Sequence, residues 1–209
     1  MKEKSIIAVT GPSGAGKTTL VNELSKRHNL AVPKHCTTRE PRGDDNGLYR
    51  YLTHEEYANY IYRGEFFFSS GDGPEVKKEY GNFYGILMDD IAEAWKKSGT
   101  IIIYISYKDL EFLGMLKECG FNIDIIDLSF TNIEKGIRER ISNNKGRNHT
   151  KEDIEKRVKC ALEYEEKYAD AIKTHAKARI YTDLLDIDAT YQKAVSELGM
   201  EDLSGRKKV

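Results

Sequence analysis

Residues 5–18, SIIAVTGPSGAGKT, decide the fold of this chain. Five of the first six are apolar or β-branched, and the run predicts a buried strand over Ser5–Thr10. The next eight match G-x-x-x-x-G-K-[ST] at every defined position, and a helical pattern follows over 17–28. A glycine-rich loop between a strand and a helix points backbone N–H groups at an anion, and the helix N-terminus adds partial positive charge. The stretch therefore predicts a phosphate-binding loop, or P-loop.

The predicted loop has the groups that a nucleoside triphosphate needs. We expect Lys17 to reach the β- and γ-phosphates as a point charge, and the Thr18 hydroxyl to be one ligand of a Mg²⁺ cofactor. The predicted ATP-binding residues are Gly11, Ser13, Gly14, Ala15, Gly16, Lys17, Thr18 and Thr19, with Thr18 as the metal ligand. A P-loop alone does not separate a kinase from a GTPase or a motor ATPase.

The rest of the chain alternates apolar runs with amphipathic stretches of helix length, which is typical of an α/β fold with a parallel sheet flanked by helices. We expect further strands at 30–37, 100–106, 123–129 and 179–182. A long helix should begin at Thr150, capped together with Asp153. Its glutamates Glu163, Glu165 and Glu166 are interpreted as a solvated face paired with nearby lysines.

Two segments interrupt this alternation. Residues 38–88 combine Gly and Asp with many aromatics and a short helix that opens on a capping box, Thr53 and Glu56. They predict an inserted, mixed subdomain between core segments 1–37 and 89–209. Residues 142–149 are polar and basic, and are interpreted as a mobile loop.

Composition excludes several classes of function. The 209 residues hold 33 Lys plus Arg and 34 Asp plus Glu, a formal charge of −1, so no overall attraction to nucleic acid or to an anionic membrane is expected. Apolar runs such as 101–105 are far shorter than the roughly 20 residues that span a bilayer. With no secretory signal pattern, the chain is expected to be cytoplasmic. Cys36, Cys119 and Cys160 lack metal-site spacing and favour reduced, buried thiols.

A second cluster of residues suggests what accepts the phosphate. Arg39 and Arg42 lie three residues apart around Pro41, and guanidinium groups suit bidentate capture of a phosphate. Tyr49 and Tyr84 add hydroxyl donors on rigid side chains.

With the P-loop and this second cluster together, the sequence resembles the guanylate kinase family of nucleoside monophosphate kinases. The resemblance is carried by GPSGAGKTT, TTREPR, the EEY helix, the RGEF turn, GNFYG and a C-terminal pattern of Arg140, Ile154, Arg157 and Ala161, over roughly residues 5–200. It implies phosphoryl transfer from ATP to GMP or dGMP, by a monomer or homodimer. It also implies that Arg39, Arg42, Tyr49 and Tyr84 hold the acceptor phosphate, and that Lys17, Arg140, Arg147 and Arg157 are catalytic. By the same resemblance, residues 38–88 are the acceptor-binding insert and residues 142–149 a short lid.

The chain departs from the family pattern where the guanine is read. The family has Glu at the end of its GxFxE turn and Ser or Thr after YG, whereas this chain has Phe68 and Ile86. A polar base edge needs hydrogen-bond partners, so the acceptor is left open. Glu75 or Glu79 could supply the missing carboxylate. The alternatives are another nucleoside monophosphate, ribose 1,5-bisphosphate, or a non-catalytic guanylate-kinase-like binding module.

Overall fold

The computed structural model describes residues 4–41, 47–70, 81–142 and 150–201. They form two compact units. The P-loop unit comprises Ser5–Leu30 and the chain from Ile102 onward, and the insert unit comprises Lys4 and Ala31–Ile101. The insert unit extends beyond the 38–88 segment expected from the sequence, because a strand before it and a helix after it pack with its sheet.

The elements alternate along the chain as the sequence predicted. In order they are β1 (Ser5–Thr10), α1 (Lys17–His28), β2 (His35–Thr37), β3 (Tyr49–Tyr51), α2 (His54–Tyr62), β4 (Phe66–Ser69), β5 (Tyr84–Leu87), α3 (Met88–Lys97), β6 (Thr100–Tyr104), a 3₁₀ turn (Tyr107–Asp109), α4 (Leu110–Glu118), β7 (Asn122–Ser129), α5 (Ile133–Ser142), α6 (Lys151–Lys167), α7 (Ala169–His175), β8 (Ala178–Tyr181) and α8 (Ile187–Leu198).

The sheet of the P-loop unit has the strand order β6-β1-β7-β8. β1 runs parallel to β7, from the pair Ser5 and Asn122 to the pair Thr10 and Asp127, and β7 runs parallel to β8. Strands β1, β6 and β7 are buried along most of their length, as parallel strands are when helices cover both faces of the sheet, whereas only Ile180 of β8 is buried. This confirms the predicted α/β fold. Wholly buried core side chains include Ile6, Leu24, Ile102, Ile123 and Phe130.

Local signals set the helix ends. α1 begins after Gly16, which has a φ of 93°, and ends before Asn29, which has a φ of 54°. The left-handed backbone at both positions suits Gly and Asn. The predicted capping boxes form at both expected places: Thr53 with Glu56 opens α2, and Thr150 with Asp153 opens α6.

The insert unit has its own mixed sheet, in the order β3-β2-β5-β4. β2 runs parallel to β3 and antiparallel to β5, and β4 runs antiparallel to β5. One face of this sheet packs on Tyr57 of α2 through Cys36, Phe83 and Leu87. Tyr57 is fully buried, and its hydroxyl donates to the Tyr84 carbonyl at 2.6 Å. This apolar layer holds the opposite face of the sheet in place.

Two expectations about the core were wrong. The strand expected at 30–37 is a strand only over His35–Thr37, and it belongs to the insert sheet; Ala31 makes a single bridge to Ile101. Propensity marks a segment as extended but does not choose its partner strand. The cysteines are free thiols, as expected, but Cys119 and Cys160 are exposed and Cys36 alone of the three is buried.

None of the helices within the described ranges is long and apolar enough to cross a membrane.

Candidate active site

The P-loop has a backbone that only glycine accommodates at its start. Gly11 has a φ of 137°, and a Cβ at this position would lie 2.1 Å from the Leu128 carbonyl oxygen of β7. Gly14 and Gly16 also have positive φ values, 83° and 93°. These conformations let successive N–H groups turn toward one centre, where a phosphate can bind. The predicted ATP-binding residues all lie in this loop or in the first turn of α1.

Lys17 lies across its own loop. Its Nζ donates to the Gly11 carbonyl at 2.6 Å and to the Pro12 carbonyl at 2.9 Å. Burial of the ammonium lowers the pKa of Lys17 to about 8, and the negative charge of Asp127 opposes this shift. The cation is thus held by neutral carbonyls, and phosphate oxygens offer it stronger, charge-assisted hydrogen bonds.

Thr18 and Thr19 begin α1 with exposed side chains. A hydroxyl is a hard oxygen ligand of the kind that Mg²⁺ accepts, and Mg²⁺ usually keeps several waters and substrate phosphates as its other ligands. Asp127, the nearby carboxylate, is fully buried and is occupied by Tyr107 and Arg179. The described residues contain no cluster of His, Cys, Asp or Glu side chains that could hold a metal ion. The single hydroxyl of Thr18 therefore suits a Mg²⁺ ion that arrives with a nucleotide.

A cavity of about 120 Å³ lies beside the P-loop. It is lined by Gly16 and Leu20 on one side and by Thr182 and Ile187 on the other. Apolar walls with a few polar groups suit a flat heterocycle. Sequence reasoning missed this wall, because Thr182 and Ile187 are far from the P-loop motif in sequence and no motif marks them.

The structure places two of the three predicted arginines against the P-loop. Arg140 lines the cavity, and its Nη2 donates to the Thr182 carbonyl at 2.6 Å. Arg157 reaches the loop itself, where its Nη1 donates to the Ser13 hydroxyl at 2.8 Å. Arg147 lies outside the described residues.

In the insert unit, Arg39 lies against two aromatic rings. Its guanidinium carbon lies 4.3 Å from the centre of the Tyr49 ring and 5.7 Å from that of Tyr51, and Nη1 donates to the Glu40 carbonyl. Arg39 is only 5% exposed. Stacking fixes the guanidinium plane, which suits a cation that must present a defined edge to an anion.

Strand register brings the two acceptor motifs together. The Thr38 amide donates to the Phe83 carbonyl, and the Phe83 amide donates to the Thr38 hydroxyl at 2.9 Å. Thr37 pairs with Tyr84 on one side and with Tyr51 on the other. The segments TTREPR and GNFYG, which are more than forty residues apart, are thus neighbours in one sheet.

Alternation along the strands then defines the face that these motifs share. Residues paired across strands point to the same side, and every second residue returns to it. We call this side of the insert sheet the acceptor face; it carries Tyr49, Tyr51, His35, Thr37, Tyr84, Ile86 and Phe68.

The acceptor face is polar at β3 and apolar at β4. Phe68 pairs with Ile86 across β4 and β5, and the two residues are 8% and 0% exposed. Both positions at which the chain departs from the family pattern therefore share a face with Tyr84. Three further residues predicted to bind the acceptor, Arg42, Glu75 and Glu79, lie outside the described residues.

One interpretation of the long helix was wrong. Glu163 pairs with Lys159 on the exposed side of α6, as expected, but Glu165 points inward and forms an ion pair with Arg179 at 2.7 Å. The spacing of charges along α6 could not predict this ion pair, because Arg179 lies on β8.

A P-loop that ends a parallel strand, a Mg²⁺-compatible hydroxyl and arginines directed at the loop define a P-loop phosphotransferase. Comparisons with known proteins agree. The guanylate kinase family profile matches residues 2–188. A guanylate kinase from Clostridioides difficile is 30% identical over 166 residues, covering 78% of this chain and 75% of that protein. One from Fusobacterium nucleatum is 29% identical over 189 residues, covering 88% and 95%.

A solved structure shares the fold. The crystal structure of guanylate kinase from Anaplasma phagocytophilum superposes with a TM-score of 0.65 at 17% identity, covering 95% of this chain and 86% of that one. The chain belongs to the guanylate kinase family, and is thus a nucleoside monophosphate kinase.

Proposed function

We propose that this protein transfers the γ-phosphoryl group of ATP to GMP or dGMP, giving GDP or dGDP. The observation that carries the proposal is the complete P-loop, with Lys17 turned into the loop and Arg157 on Ser13, in a chain of the guanylate kinase family. Relatives named guanylate kinase support GMP as the acceptor.

On the donor side, backbone N–H groups of the loop hold the triphosphate and Lys17 carries positive charge to its outer phosphates. Thr18 would hold a Mg²⁺ ion together with the phosphates, and that ion would supply positive charge to neutralise the nucleotide. Arg140, Arg147 and Arg157 stabilise the charge that develops on the transferring group. Phosphoryl transfer needs little covalent help from the protein and much positioning, which a set of fixed cations provides.

On the acceptor side, Arg39 and Arg42 bind the phosphate as cations, and Tyr49 and Tyr84 donate from their hydroxyls. Because Phe68 and Ile86 offer no hydrogen-bonding atom, the guanine edge must be read by other groups. We assign that role to Glu75 and Glu79, since a carboxylate accepts from both nitrogen donors of guanine.

The remaining features follow from the same proposal. Residues 38–88 are the acceptor-binding part, residues 142–149 close as a lid that excludes water, and the enzyme works in the cytoplasm as a monomer or homodimer. Its partners are ATP and one phosphate-bearing small molecule, with no nucleic acid and no membrane.

The test is ADP release from Mg·ATP with a panel of acceptors: GMP, dGMP, AMP, UMP, CMP, dTMP and ribose 1,5-bisphosphate. GMP or dGMP should give the highest kcat/KM. Silence on GMP with turnover on ribose 1,5-bisphosphate would replace the proposal, and would mean that Phe68 and Ile86 mark an acceptor without a base. Silence on every acceptor would leave a binding module, which the intact Lys17 and Thr18 argue against.

The assignment of the base-reading carboxylates has its own test. Glu75→Gln and Glu79→Gln should raise the KM for GMP by about 10-fold or more in at least one variant, because a lost partner leaves a polar edge unpaired. The exposed Glu55 of α2 provides the control, Glu55→Gln, with the same change of charge in the same unit. Equal KM values for GMP in all three variants would show that neither Glu75 nor Glu79 reads the guanine.

A further inference from the structure

One face of helix α6 points into the P-loop unit, and we call three residues along it the inner stripe. Arg157, Ala161 and Glu165 follow each other at intervals of four residues, so they lie on one face of the helix. Ala161 is 7% exposed, which shows that this face is the inner one. The side chain of Glu165 is 23% exposed, against 60% for Glu163 on the outer face.

The stripe is anchored at both ends. At one end Arg157 donates to the Ser13 hydroxyl of the P-loop. At the other, Glu165 Oε1 lies 2.7 Å from Arg179 Nη2, and Arg179 Nε donates to Asp127 Oδ2 at 2.5 Å. Eight residues of α-helix, about 12 Å, separate the two anchors.

Asp127 makes the second anchor rigid. It is fully buried, its Oδ1 accepts from the Tyr107 hydroxyl at 2.9 Å, and its strand position pairs with Thr10, the residue before Gly11. Both ends of the stripe are therefore linked to the P-loop. One end contacts Ser13 of the loop, and the other is linked through Asp127 to β1, the strand that leads into the loop.

Apolar packing does not fill the space around the second anchor. A cavity of about 430 Å³ is bordered there by Leu162 and Glu165 of α6, Ser129 of β7, and Arg179 and Tyr181 of β8. Beside this open pocket, the ion pair of Glu165 and Arg179 links helix α6 to strand β8.

We propose, on the basis of the phosphoryl-transfer function above, that Glu165, Arg179 and Asp127 are positioning residues, which hold α6 so that Arg157 meets the P-loop. They act through Arg157, and their loss lets α6 shift and the guanidinium move off the phosphate.

The experiment compares Glu165→Gln with Glu166→Gln, which makes the same change on an exposed residue of the same helix. Each variant is made in the wild-type chain and in an Arg157→Ala background. Glu165→Gln should lower kcat about 10-fold in the wild-type chain, with the acceptor KM within about twofold, since a displaced catalytic group costs turnover rather than acceptor binding. Glu166→Gln should leave both constants within about twofold.

Comparing the wild-type and Arg157→Ala backgrounds distinguishes a positioning role of Glu165 from general structural support. If Glu165 acts through Arg157, Glu165→Gln should have no further effect on kcat once Arg157 is alanine, because coupled residues are not additive. An equal 10-fold loss in both backgrounds, or a Glu165→Gln variant as active as wild type, overturns the proposal. If Glu165→Gln fails to fold, Arg179→Lys takes its place, with the same two expected results.

The same proteins separate this proposal from the proposed function. A wild-type chain without acceptor-dependent turnover contradicts the function. The dissociation constant of a fluorescent ATP analogue then supplies the readout: the same non-additive pattern supports the positioning role, and additivity contradicts it.

Discussion

The two units hold their site residues in different ways. In the P-loop unit, Lys17 lies on loop carbonyls, Arg140 on the Thr182 carbonyl and Arg157 on Ser13. In the insert unit, Arg39 is fixed by ring stacking, and the acceptor face changes from polar at Tyr49 to apolar at Phe68. A P-loop presents backbone N–H groups to a phosphate, whereas a sheet face presents side chains, which single substitutions replace. The P-loop accordingly matches its motif at every defined position, while Phe68 and Ile86 of the insert sheet depart from the family pattern.

Removing the lysine of the P-loop unit should have the largest effect. Lys17→Ala should lower kcat by about 10³-fold or more, because the charge on the outer phosphates loses its cation. Lys26→Ala, on the exposed side of the same helix, is the control and should stay near wild type. Steady-state ADP release measures both, and turnover by Lys17→Ala within 10-fold of wild type would contradict the assigned role of the P-loop.

Removing the buried cation of the insert unit should act on the acceptor instead. Arg39→Met keeps much of the side-chain length and should raise the KM for the acceptor by about 10- to 100-fold, since a charge-assisted hydrogen bond is lost. The KM for ATP should change little. Arg63→Met is the control, because Arg63 also stacks on a tyrosine but its side chain is 57% exposed. An unchanged acceptor KM in Arg39→Met would exclude Arg39 from the site.

The layer beneath the acceptor face offers a smaller effect, on stability. Tyr57→Phe removes the hydroxyl that donates to the Tyr84 carbonyl and contacts the Ser69 hydroxyl, and should cost about 1–2 kcal/mol. Tyr62→Phe, on the same helix and 70% exposed, should cost almost nothing. Urea unfolding followed by circular dichroism compares the two, and equal midpoints would show that the buried hydroxyl contributes no net stability.

The smallest predicted effects should be alike in the two units. Thr53→Ala in α2 and Thr150→Ala in α6 each remove a capping box, and each should cost about 1 kcal/mol of unfolding free energy. Similar losses would confirm that the units differ in their sites and not in their local helix signals. A loss several times larger in one unit would mean that its cap also supports tertiary packing.

The parts predicted correctly from sequence depend on neighbours along the chain. The P-loop, the limits of α1 and both capping boxes follow from residues within a few positions of each other. The parts that were missed depend on partners far away. The strand at 35–37 joined a different sheet from the one expected, and Glu165 turned inward because Arg179 lies on β8. The cavity wall of Thr182 and Ile187 was missed for the same reason.

The sequence by itself determined the α/β class, the triphosphate loop and the kinase family, because these rest on short motifs whose backbone geometry is local. Tertiary structure alone decided which side chains share a face. Register placed Phe68 and Ile86 on the same face as Tyr84, and strand order placed Arg179 beside Asp127, where Glu165 reaches Arg179. Long-range pairing depends on the packing of the whole unit, so the position of a residue in the chain does not reveal its contacts in space.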